Sequence, residues 1–537
     1  HDVARGGPVM FTSLFATLQN MAPEDLILAA LLIPTAAALL IPLFHRIPNL
    51  REAVTLVAAV ALATVTWSLY PHIIGGEQPE LKVWEVAQGL TLSFRVEPLG
   101  MLFGLVASTL WIVNSIYSIG YMRGNNEPRQ TSFYVCFAVA LASTMALAFS
   151  ANLFTMFLAY ELLTISTYPL VTHKATPEAM KAGRVYLMLL IGTSMVLFLP
   201  AIVITWATAG TLEFTAGGII PIAGENAVSP FLLGGLLFLF IFGIGKAAVM
   251  PIHFWLPAAM VAPTPVSALL HAVAVVKAGV FSILKVVVYV FGIDALTTTS
   301  ANTWIIYLSA FCVLMASIIA MNQDNLKARL AYSTVSQLAY IVLGAALATA
   351  TSVTGGALHI LMHAFAKITL FFCAGAIYVA HHKTEVSQLD GLGRLMPVTM
   401  FAFLIASLSI IGIPPLGGTW SKWFLALGAL DAHYQFAMAV FMISSLLNTA
   451  YLLPIVSRAF FKPLPGIANG EKVAIAEAPT ACLIAISVTT LGCFFLFFYA
   501  DFALDMIKLV DFTGAQTNAA SSPAASAEIL KGASNVR

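Results

Sequence analysis

The stretch FGIGKAAVMPIHFWLP, residues 242–257, closes a long apolar run and carries Lys246 within it. Its Gly-Lys pair matches part of the motif of a phosphate-binding loop. That loop, G-x-x-x-x-G-K-[ST], needs a glycine where Phe240 stands and a hydroxyl where Ala247 stands. The nucleotide-binding motif is therefore excluded. What remains is an amine in an apolar segment, followed five residues later by Pro251.

The composition indicates an integral membrane protein. Hydrophobic residues make up 60% of the 537 residues and charged residues only 9%, against about 25% charged residues in soluble domains. The net charge of +1 gives no argument for nucleic-acid binding. The cysteines lie in apolar runs without a C-x-x-C pair, so we expect buried thiols and no iron–sulfur cluster, haem, other cofactor or metal.

Fourteen apolar runs are long enough for a membrane-spanning helix, which needs about 20 residues. They are predicted near residues 25–44, 52–72, 98–120, 131–150, 152–172, 182–208, 229–250, 263–291, 302–321, 328–350, 354–380, 396–413 continuing to 430, 434–460 and 474–508. Residues 1–24 are interpreted as an N-terminal extension that is too weakly apolar for a signal peptide. Alternatively, translation starts at Met10 or Met21. The Ala/Ser-rich residues 513–537 are predicted to be a disordered tail.

The distribution of basic residues among the connections between these runs tests the predicted number of spans. The odd-numbered connections hold Arg46, Arg51, Arg123, Arg129, Lys174, Lys181, Arg184, Lys327, Arg329, Lys383, Arg394, Arg458, Lys462 and Lys472. The even-numbered connections hold only Lys82 and Arg95. Because cytoplasmic loops carry the excess of lysine and arginine, we predict a multi-pass protein of the plasma (bacterial inner) membrane with both termini outside the cytoplasm.

Ionisable side chains inside predicted spans are the candidates for function, because a charge at the bilayer centre costs at least about 2.5–3.5 kcal/mol. The lysines within spans are Lys246, Lys277, Lys285, Lys367 and Lys422. Glu161 is the only carboxylate well inside the first eight spans. We expect it to stabilise the charged form of Lys246 and, when the two separate, to favour proton release. The alternative is a static ion pair that holds two helices together.

Prolines predict two broken helices. Pro251 removes a backbone donor, so the helix is expected to end just after Lys246. In GIPPLGGTWSKW, residues 412–423, Pro414 and Pro415 interrupt a second span and Lys422 follows. Two broken helices with lysines on opposite sides of the break suggest two inverted halves of one transporter fold. Two unrelated proline kinks are the alternative.

The segment LHILMHAFAKITLFF, residues 358–372, places His359, His363 and Lys367 at intervals of four, along one helical face. Zinc is not expected, because Ile360 replaces the glutamate of H-E-x-x-H and no third ligand is evident. Histidine, with an ordinary pKa of about 6.5, instead suits a proton relay at neutral pH. Histidines that only pack in the core are the alternative.

The segment LLHAVAVVKAGVFSILK, residues 269–285, carries three further ionisable groups. His271 and Lys277 are about 120° apart around a regular helix, so a link between them would need water. Lys285, nearer the helix end, is predicted to extend to the membrane interface. Lys327, at the start of a later span, is interpreted as a topology anchor.

Four segments together resemble the proton-conducting, antiporter-like subunit family. They are APTPVSALLHAVAVVKAGV (262–280), DNLKARLAYSTVSQLAYIVLG (324–344) and the two motifs at 358–372 and 412–423. This family comprises the three large antiporter-like subunits of respiratory complex I, related subunits of membrane hydrogenases and the large subunits of Mrp-type sodium/proton antiporters. The resemblance covers about residues 95–460.

The resemblance implies an all-α membrane fold of fourteen helices with two inverted five-helix repeats and broken helices 7 and 12. On this basis we expect N-terminal helices in 25–130, repeats in 131–291 and 302–460, and a last helix in 474–512. Matching positions imply that protons move along Glu161, Lys246, His271, Lys277, His359, His363, Lys367 and Lys422. No catalytic site is implied. The chain resembles the D-type Mrp subunit in size, whereas His271 is more typical of the A-type and distal complex I branch.

The leading functional interpretation is a proton-translocating subunit of a multisubunit Na⁺/proton antiporter. Alternatives are a proton-pumping subunit of a complex I-like or hydrogenase redox complex, and a proton-flux coupling subunit of an uptake or carbon-concentrating complex. A free-standing antiporter is a further possibility. The expected partners are other membrane subunits, protons, Na⁺ and the lipid bilayer.

Overall fold

A computed structural model describes residues 21–224, 227–465 and 474–512. Most of the predicted N-terminal extension, the predicted disordered tail and Lys472 lie outside these ranges. The helices are α1 Pro23–Phe44, α2 Pro48–Ile74, α3 Pro98–Gly124, α4 Gln130–Ala148, α5 Leu153–Val171, α6 Pro177–Ala209, α7 Pro230–Gly243, α8 Ile252–Val261, α9 Thr264–Phe291, α10 Ile293–Thr299, α11 Thr303–Met321, α12 Leu326–Ala346, α13 Ala350–His381, α14 Pro397–Ile411, α15 Gly418–Asp431, α16 Gln435–Phe461, α17 Thr480–Phe498 and α18 Asp501–Lys508.

Local sequence sets many of the helix starts. Helices α1, α2, α3, α6, α7 and α14 begin with a proline in the first turn, where its missing N–H is not needed. Side chains of Asn152, Thr176, Ser229, Asn325 and Thr349 accept a backbone N–H at the starts of α5, α6, α7, α12 and α13. Such caps satisfy N–H groups that otherwise lack a partner in the apolar bilayer.

The chain is a helical, multi-pass membrane protein. Among the described residues, eleven helices are long and apolar enough to cross a membrane. Helices α7, α8 and α14 are apolar but shorter. The total of fourteen spans and the inverted repeats stay predictions. The last predicted span, 474–508, is divided in the structure, because the chain leaves the helix at Tyr499 (φ −123°, ψ 34°) before α18 begins.

One element of the described chain is not helical and was missed by the all-α prediction. Strands β1 Glu80–Ala87 and β2 Leu90–Arg95 form an antiparallel hairpin around Gly89, which has a φ of +77°. Apolar residues alternate along LTLSFR, residues 90–95, which is the period of a strand. A search for apolar runs of membrane length does not detect a pattern this short.

The connections between helices form two groups at the two ends of the bundle. At the hairpin end, the Arg95 N–H donates to the Phe149 carbonyl, and the Phe214 N–H donates to the Ala151 carbonyl. At the other end, named the Lys327 end, the Leu326 N–H donates to the Thr384 carbonyl. The groups coincide with the even-numbered and odd-numbered connections of the sequence. Which end faces the cytoplasm stays a prediction.

Helices α9 and α13 form the centre of the bundle. Their most apolar segments are 100% and 94% buried, whereas that of α6 is 33% buried. Between them these two central helices carry His271, Lys277, Lys285, His359, His363 and Lys367. None of these side chains can therefore rely on lipid-facing space or bulk water, and each needs its partners within the protein.

The first helix break begins before Lys246, not after it as predicted. Helix α7 ends at Gly243, and Ile244 has non-helical dihedral angles (φ −82°, ψ 60°). Lys246 lies in a single 3₁₀ turn, ahead of the cis Met250–Pro251 peptide bond. Pro251 affects the helix only as far back as residue 247. Gly243 and Gly245, which have weak helix propensity, account for the earlier end.

The second break lies between α14 and α15. Helix α14 ends at Ile411, and the next residue, Gly412, has a φ of +93°, the left-handed conformation that commonly terminates a helix. The Pro414–Pro415 peptide bond is cis and lies within the break. Helix α15 begins at Gly418, so Lys422 lies in its second turn.

The close approach of α9 to the first break can be tested at Gly279. A Cβ atom at this position would overlap the backbone of Lys246 and Ala247. We therefore expect Gly279→Ala to destabilise the purified protein by about 1–3 kcal/mol, measured by thermal unfolding in detergent. Gly235→Ala in α7 is the control, because nothing lies within 4 Å of its Cβ position. Equal stability of the two variants would contradict the close approach.

Candidate proton-transfer site

Lys246 is held by neutral groups of α5. Its side chain is 0% exposed. The Nζ atom donates to the Tyr160 carbonyl at 2.8 Å and to the Thr164 hydroxyl, and it lies 3.1 Å from the centre of the Tyr160 ring. The Lys246 backbone N–H donates to the Tyr160 hydroxyl at 3.0 Å. Both the amine and the backbone of the break are thus fixed to one residue of α5.

Glu161 is not bonded to Lys246 in this structure. Both of its carboxylate oxygens are buried without a hydrogen-bond partner among the described residues. It directly follows Tyr160, the residue to which the amine and the backbone N–H of Lys246 are bonded. Leu158, Leu162 and Ile165, on the same side of α5, are 44%, 47% and 57% exposed. The predicted pairing of Glu161 with Lys246 stays a prediction.

Lys277 and His363 make the central contact between α9 and α13. Lys277 Nζ lies 2.6 Å from His363 Nδ1, and both side chains are buried. Two donors cannot share one hydrogen bond, so the pair holds one proton between the two nitrogen atoms. An ammonium donates to the neutral imidazole, or the imidazole N–H donates to the neutral amine. The shared proton can therefore lie on Lys277 or on His363 while the two nitrogen atoms keep their positions.

His359 continues this contact to α15. Its ring centre lies 5.7 Å from that of His363. Its Nε2 lies 3.1 Å from Gln337 Oε1, and its Nδ1 lies 2.9 Å from Ser421 Oγ. Because the amide oxygen can only accept, Nε2 carries a hydrogen. Nδ1 can then accept from Ser421 when the ring is neutral and donate to it when the ring is protonated.

Lys422 lies next to Ser421 and ends this series at the second break. Its Nζ donates to the Ile411 carbonyl at 3.1 Å and to Ser445 Oγ at 2.9 Å. The same atom lies 4.9 Å from the centre of the Tyr340 ring, which stacks on His359 at 5.5 Å. Lys277, His363, His359, Ser421 and Lys422 form a series of neighbours, which we name the central line.

Lys367 and His271 lie beside the central line. Lys367 Nζ donates to Ser333 Oγ at 2.8 Å, and the Tyr451 hydroxyl donates to the same oxygen at 2.9 Å. Neither ring nitrogen of His271 has a hydrogen-bond partner among the described residues. The π-helical turn Leu269–Val273 surrounds His271, so the 120° offset from Lys277 expected for a regular helix does not apply.

A cavity of about 220 Å³ opens at the Lys327 end. Lys327 and Lys174 line it, and Lys327 Nζ donates to the Ala262 carbonyl at 2.6 Å. Burial raises the pKa of nearby Glu127 above its ordinary value, and the charges of these two lysines oppose the shift. Thr264, at the start of α9, also lines the cavity, seven residues before His271. His271 therefore lies about two helical turns from the cavity, towards the centre of the bundle.

The predicted interfacial position of Lys285 is wrong. Its side chain is 1% exposed and its Nζ lies 2.8 Å from Glu97 Oε1. Helix α9 is covered along its length, so a lysine near its end cannot reach the interface. Sequence reasoning missed Glu97 because it stands just outside a predicted span. It approaches Lys285 only through the packing of α3 against α9.

Metal ligands are not gathered in this region. In residues 21–224, 227–465 and 474–512, no group of three or more His, Cys, Asp and Glu side chains could hold a metal ion. The ionisable groups of the central line instead meet in pairs or through hydroxyl groups. Their arrangement is suited to moving protons between neighbours.

Comparisons with known proteins show the family to which the chain belongs. The family described as "NADH:quinone oxidoreductase/Mrp antiporter, TM" matches residues 150–448. The chain is 31% identical over 487 residues to NADH-quinone oxidoreductase subunit N of Desulforudis audaxviator, covering 88% of this chain and 94% of that protein. It is 30% identical over 416 residues to a probable K(+)/H(+) antiporter subunit of Rhizobium meliloti, covering 76% of this chain but 40% of that protein.

Two solved structures have a similar fold. A chain of the Mrp complex from Dietzia sp. DQ12-45-1b superposes with a TM-score of 0.79 at 20% identity, covering 91% of this chain and 97% of that one. A chain of the membrane-bound sulfane sulfur reductase, an archaeal respiratory membrane complex, gives the same TM-score and identity and covers 98% of that chain. The resemblance drawn from four sequence motifs is confirmed: this chain belongs to the NADH:quinone oxidoreductase/Mrp antiporter transmembrane family, whose members are antiporter-like membrane subunits of Mrp or complex I-type assemblies.

Proposed function

We propose that this chain is the proton-translocating subunit of a multisubunit monovalent cation/proton antiporter that exchanges Na⁺. The observation that carries the proposal is the 2.6 Å contact between Lys277 and His363, from which the central line extends to Lys422. These groups are buried, except Lys422, which is partly exposed, and they are bonded mainly to neutral partners. Such an arrangement costs stability and is typical of proton pathways in membranes. A bundle needing only helix packing could use small residues instead.

The proposed transfer starts at Lys246. Gly279 of α9 lies against the backbone of Lys246. Lys277, two residues earlier on α9, therefore lies near the first break. A proton on Lys246 is stabilised when the Glu161 carboxylate approaches and is released when it withdraws, because burial disfavours an uncompensated charge. It then passes to Lys277 and along the central line to Lys422. His271 and Lys367 supply protons from the Lys327 end.

A partner subunit is proposed to cover the exposed side of α5. Glu161 is a buried carboxylate without a bonded partner among the described residues, on the helix side that carries Leu158, Leu162 and Ile165. An unpaired carboxylate beside lipid is costly, and a neighbouring membrane subunit would supply its partner. This would also let the neighbour alter the distance between Glu161 and Lys246.

We also propose the fourteen-span topology. Helices α7 and α8 count as one broken span and α14 and α15 as another, which leaves the inverted repeats at residues 131–291 and 302–460. The Lys327 end, where the odd-numbered connections meet, is the proposed cytoplasmic side. The plasma membrane is the proposed location.

A complex I-like redox assembly is the second candidate. Its support is the subunit N relative, of which the chain covers 94%, whereas it covers only 40% of the K(+)/H(+) antiporter relative. In that assembly another chain would carry the electrons and this chain would only move protons. Cation dependence separates the two candidates.

The first prediction concerns transport by the purified assembly in proteoliposomes. We expect a step in external Na⁺ to change the internal pH, and Lys246→Ala to slow this change at least tenfold. Lys181→Ala, at an exposed position of α6, is the matched control and should transport normally. Normal transport by Lys246→Ala would contradict the pathway. No response of the wild type to Na⁺, K⁺ or Li⁺ would favour the redox assembly.

The second prediction tests whether Lys277 and His363 act as a unit. Lys277→Ala, His363→Ala and the double variant should reduce proton flux to a similar extent, because removing either residue already removes the shared proton position. The readout is the initial rate of pH change in the same vesicles. Independent roles would instead make the double variant slower by the product of the two single effects.

The third prediction contrasts two buried lysines by thermal unfolding. Lys246 has neutral bonded partners, so Lys246→Met should leave stability unchanged or raise it by about 1–4 kcal/mol. Lys285 is paired with Glu97, so Lys285→Met should lower stability by about 3–5 kcal/mol, because a buried carboxylate loses its counter-charge. A similar loss in both variants would show that Lys246 serves mainly to hold the fold.

A further inference from the structure

The hairpin end contains a cavity that leads to the Lys285–Glu97 ion pair. Its volume is about 400 Å³, and it lies between the chain after α2, the hairpin, residues 214–216 and residues 509–511. Glu97 and Tyr289 contribute to its wall and are themselves almost fully buried. The ion pair therefore separates this cavity from the interior side of α9.

Lys285 is held in place on several sides. In addition to Glu97 at 2.8 Å, its Nζ donates to the Ser150 carbonyl. It lies 4.4 Å from the centre of the Phe214 ring and 5.6 Å from that of Phe281. The apolar rings exclude water from the amine, while its carboxylate partner lines the cavity. One member of the pair thus faces the interior and the other faces the cavity.

Arg95 supplies a fixed positive charge near this pair. Its guanidinium is bound to Glu80 at 2.8 Å, lies 3.8 Å from Glu213 and donates to the Phe214 carbonyl. These contacts hold its positive charge in the cavity wall, which Glu97 also lines. The other ionisable groups that line the cavity are Glu77, Tyr289 and Asp511.

Helix α9 connects the ion pair to the central line. Lys277 and Lys285 are eight residues apart, which corresponds to about 12 Å along the helix axis. Ser282 lies between them in depth, about 60° from Lys285 and about 140° from Lys277 around a regular helix, and its buried hydroxyl has no hydrogen-bond partner among the described residues. Buried hydroxyl groups almost always have a partner, often an ordered water. A water bound there would lie on the Lys285 side of the helix, at a depth between the two lysines.

We propose that the Lys285–Glu97 ion pair is a second proton-transfer site, which joins the central line to the cavity at the hairpin end. The proton moves from Lys285 Nζ to a Glu97 carboxylate oxygen, which leaves a neutral amine and a neutral carboxyl group. The carboxyl group then gives the proton to cavity water and becomes a carboxylate again. The amine takes the next proton from Lys277 through water at Ser282. No electrons are exchanged, and no bonds between heavy atoms change.

This inference rests on the proposed function, and the first test is the Lys285→Arg variant in the proteoliposome assay. Arginine keeps the positive charge next to Glu97 but does not release its proton. We expect unchanged thermal stability with at least a tenfold loss of proton flux. Wild-type flux in this variant would overturn the inference. If the wild type itself shows no flux, the proposed function fails instead.

A second variant keeps the test decisive if arginine does not fit. Lys285→Met combined with Glu97→Gln removes both charges and leaves neither uncompensated, so the fold should be retained. A structural ion pair predicts near-normal flux in this folded double variant. A proton-transfer site predicts at least a tenfold loss. The result therefore separates the two roles without depending on Lys285→Arg.

A third measurement tests access through the cavity. Thr215 lines the cavity and is exposed, so Thr215→Cys can be labelled with a membrane-impermeant, bulky thiol reagent. Labelling from the hairpin side should reduce the proton flux severalfold. Thr298→Cys, exposed on α10 at the same end, is the control and should be insensitive. The native cysteines are buried except Cys136, which is partly exposed, so the unsubstituted protein gives the background. Unchanged flux after complete labelling of Thr215→Cys would overturn the route through this cavity.

Discussion

A lysine that neither lipid nor bulk water can reach must be solvated by the protein itself, and this constraint governs the centre of the bundle. Lys246, Lys277 and Lys367 are all 0% exposed. Their ammonium donors are met by a backbone carbonyl, a histidine nitrogen and a serine hydroxyl. Because these acceptors sit on different helices, satisfying each amine fixes the relative position of two elements. The polar groups thus set the register of a core that is otherwise apolar.

The two helix breaks serve the same constraint. At the second break the freed carbonyl of Ile411 accepts from Lys422, so the end of one helix solvates the amine of the next. At the first break Lys246 itself leaves the helix, and its backbone N–H finds the Tyr160 hydroxyl. A continuous helix would offer neither group, because its carbonyls and N–H groups are already paired. Irregular backbone at membrane depth is therefore tolerated where it binds a lysine.

The lengths of the apolar runs predicted a helical, multi-pass membrane protein, because a membrane imposes a length and a polarity on every span. The prolines predicted that two of these runs are interrupted. Sequence reasoning placed the first break on the wrong side of Lys246, since the proline was more conspicuous than the two glycines that end α7. It also assigned Lys285 to the interface, because the depth of a lysine depends on the helices that cover it. Its partner Glu97 lies nearly 190 residues earlier in the chain, and no local pattern links the two.

In the proposed pathway, neutral partners in the interior suit proton movement better than ion pairs do. A carboxylate 2.8 Å from an amine, as at Lys285, favours the charged amine, so that amine gives up its proton readily only to the carboxylate itself. A histidine or hydroxyl group stabilises two states almost equally, because it can donate or accept. The central line is built from such groups, whereas carboxylates appear beside it, at Glu161, and beyond it, at Glu97. In the proposed pathway, carboxylates at those positions bias the direction in which protons move without holding a proton in the middle.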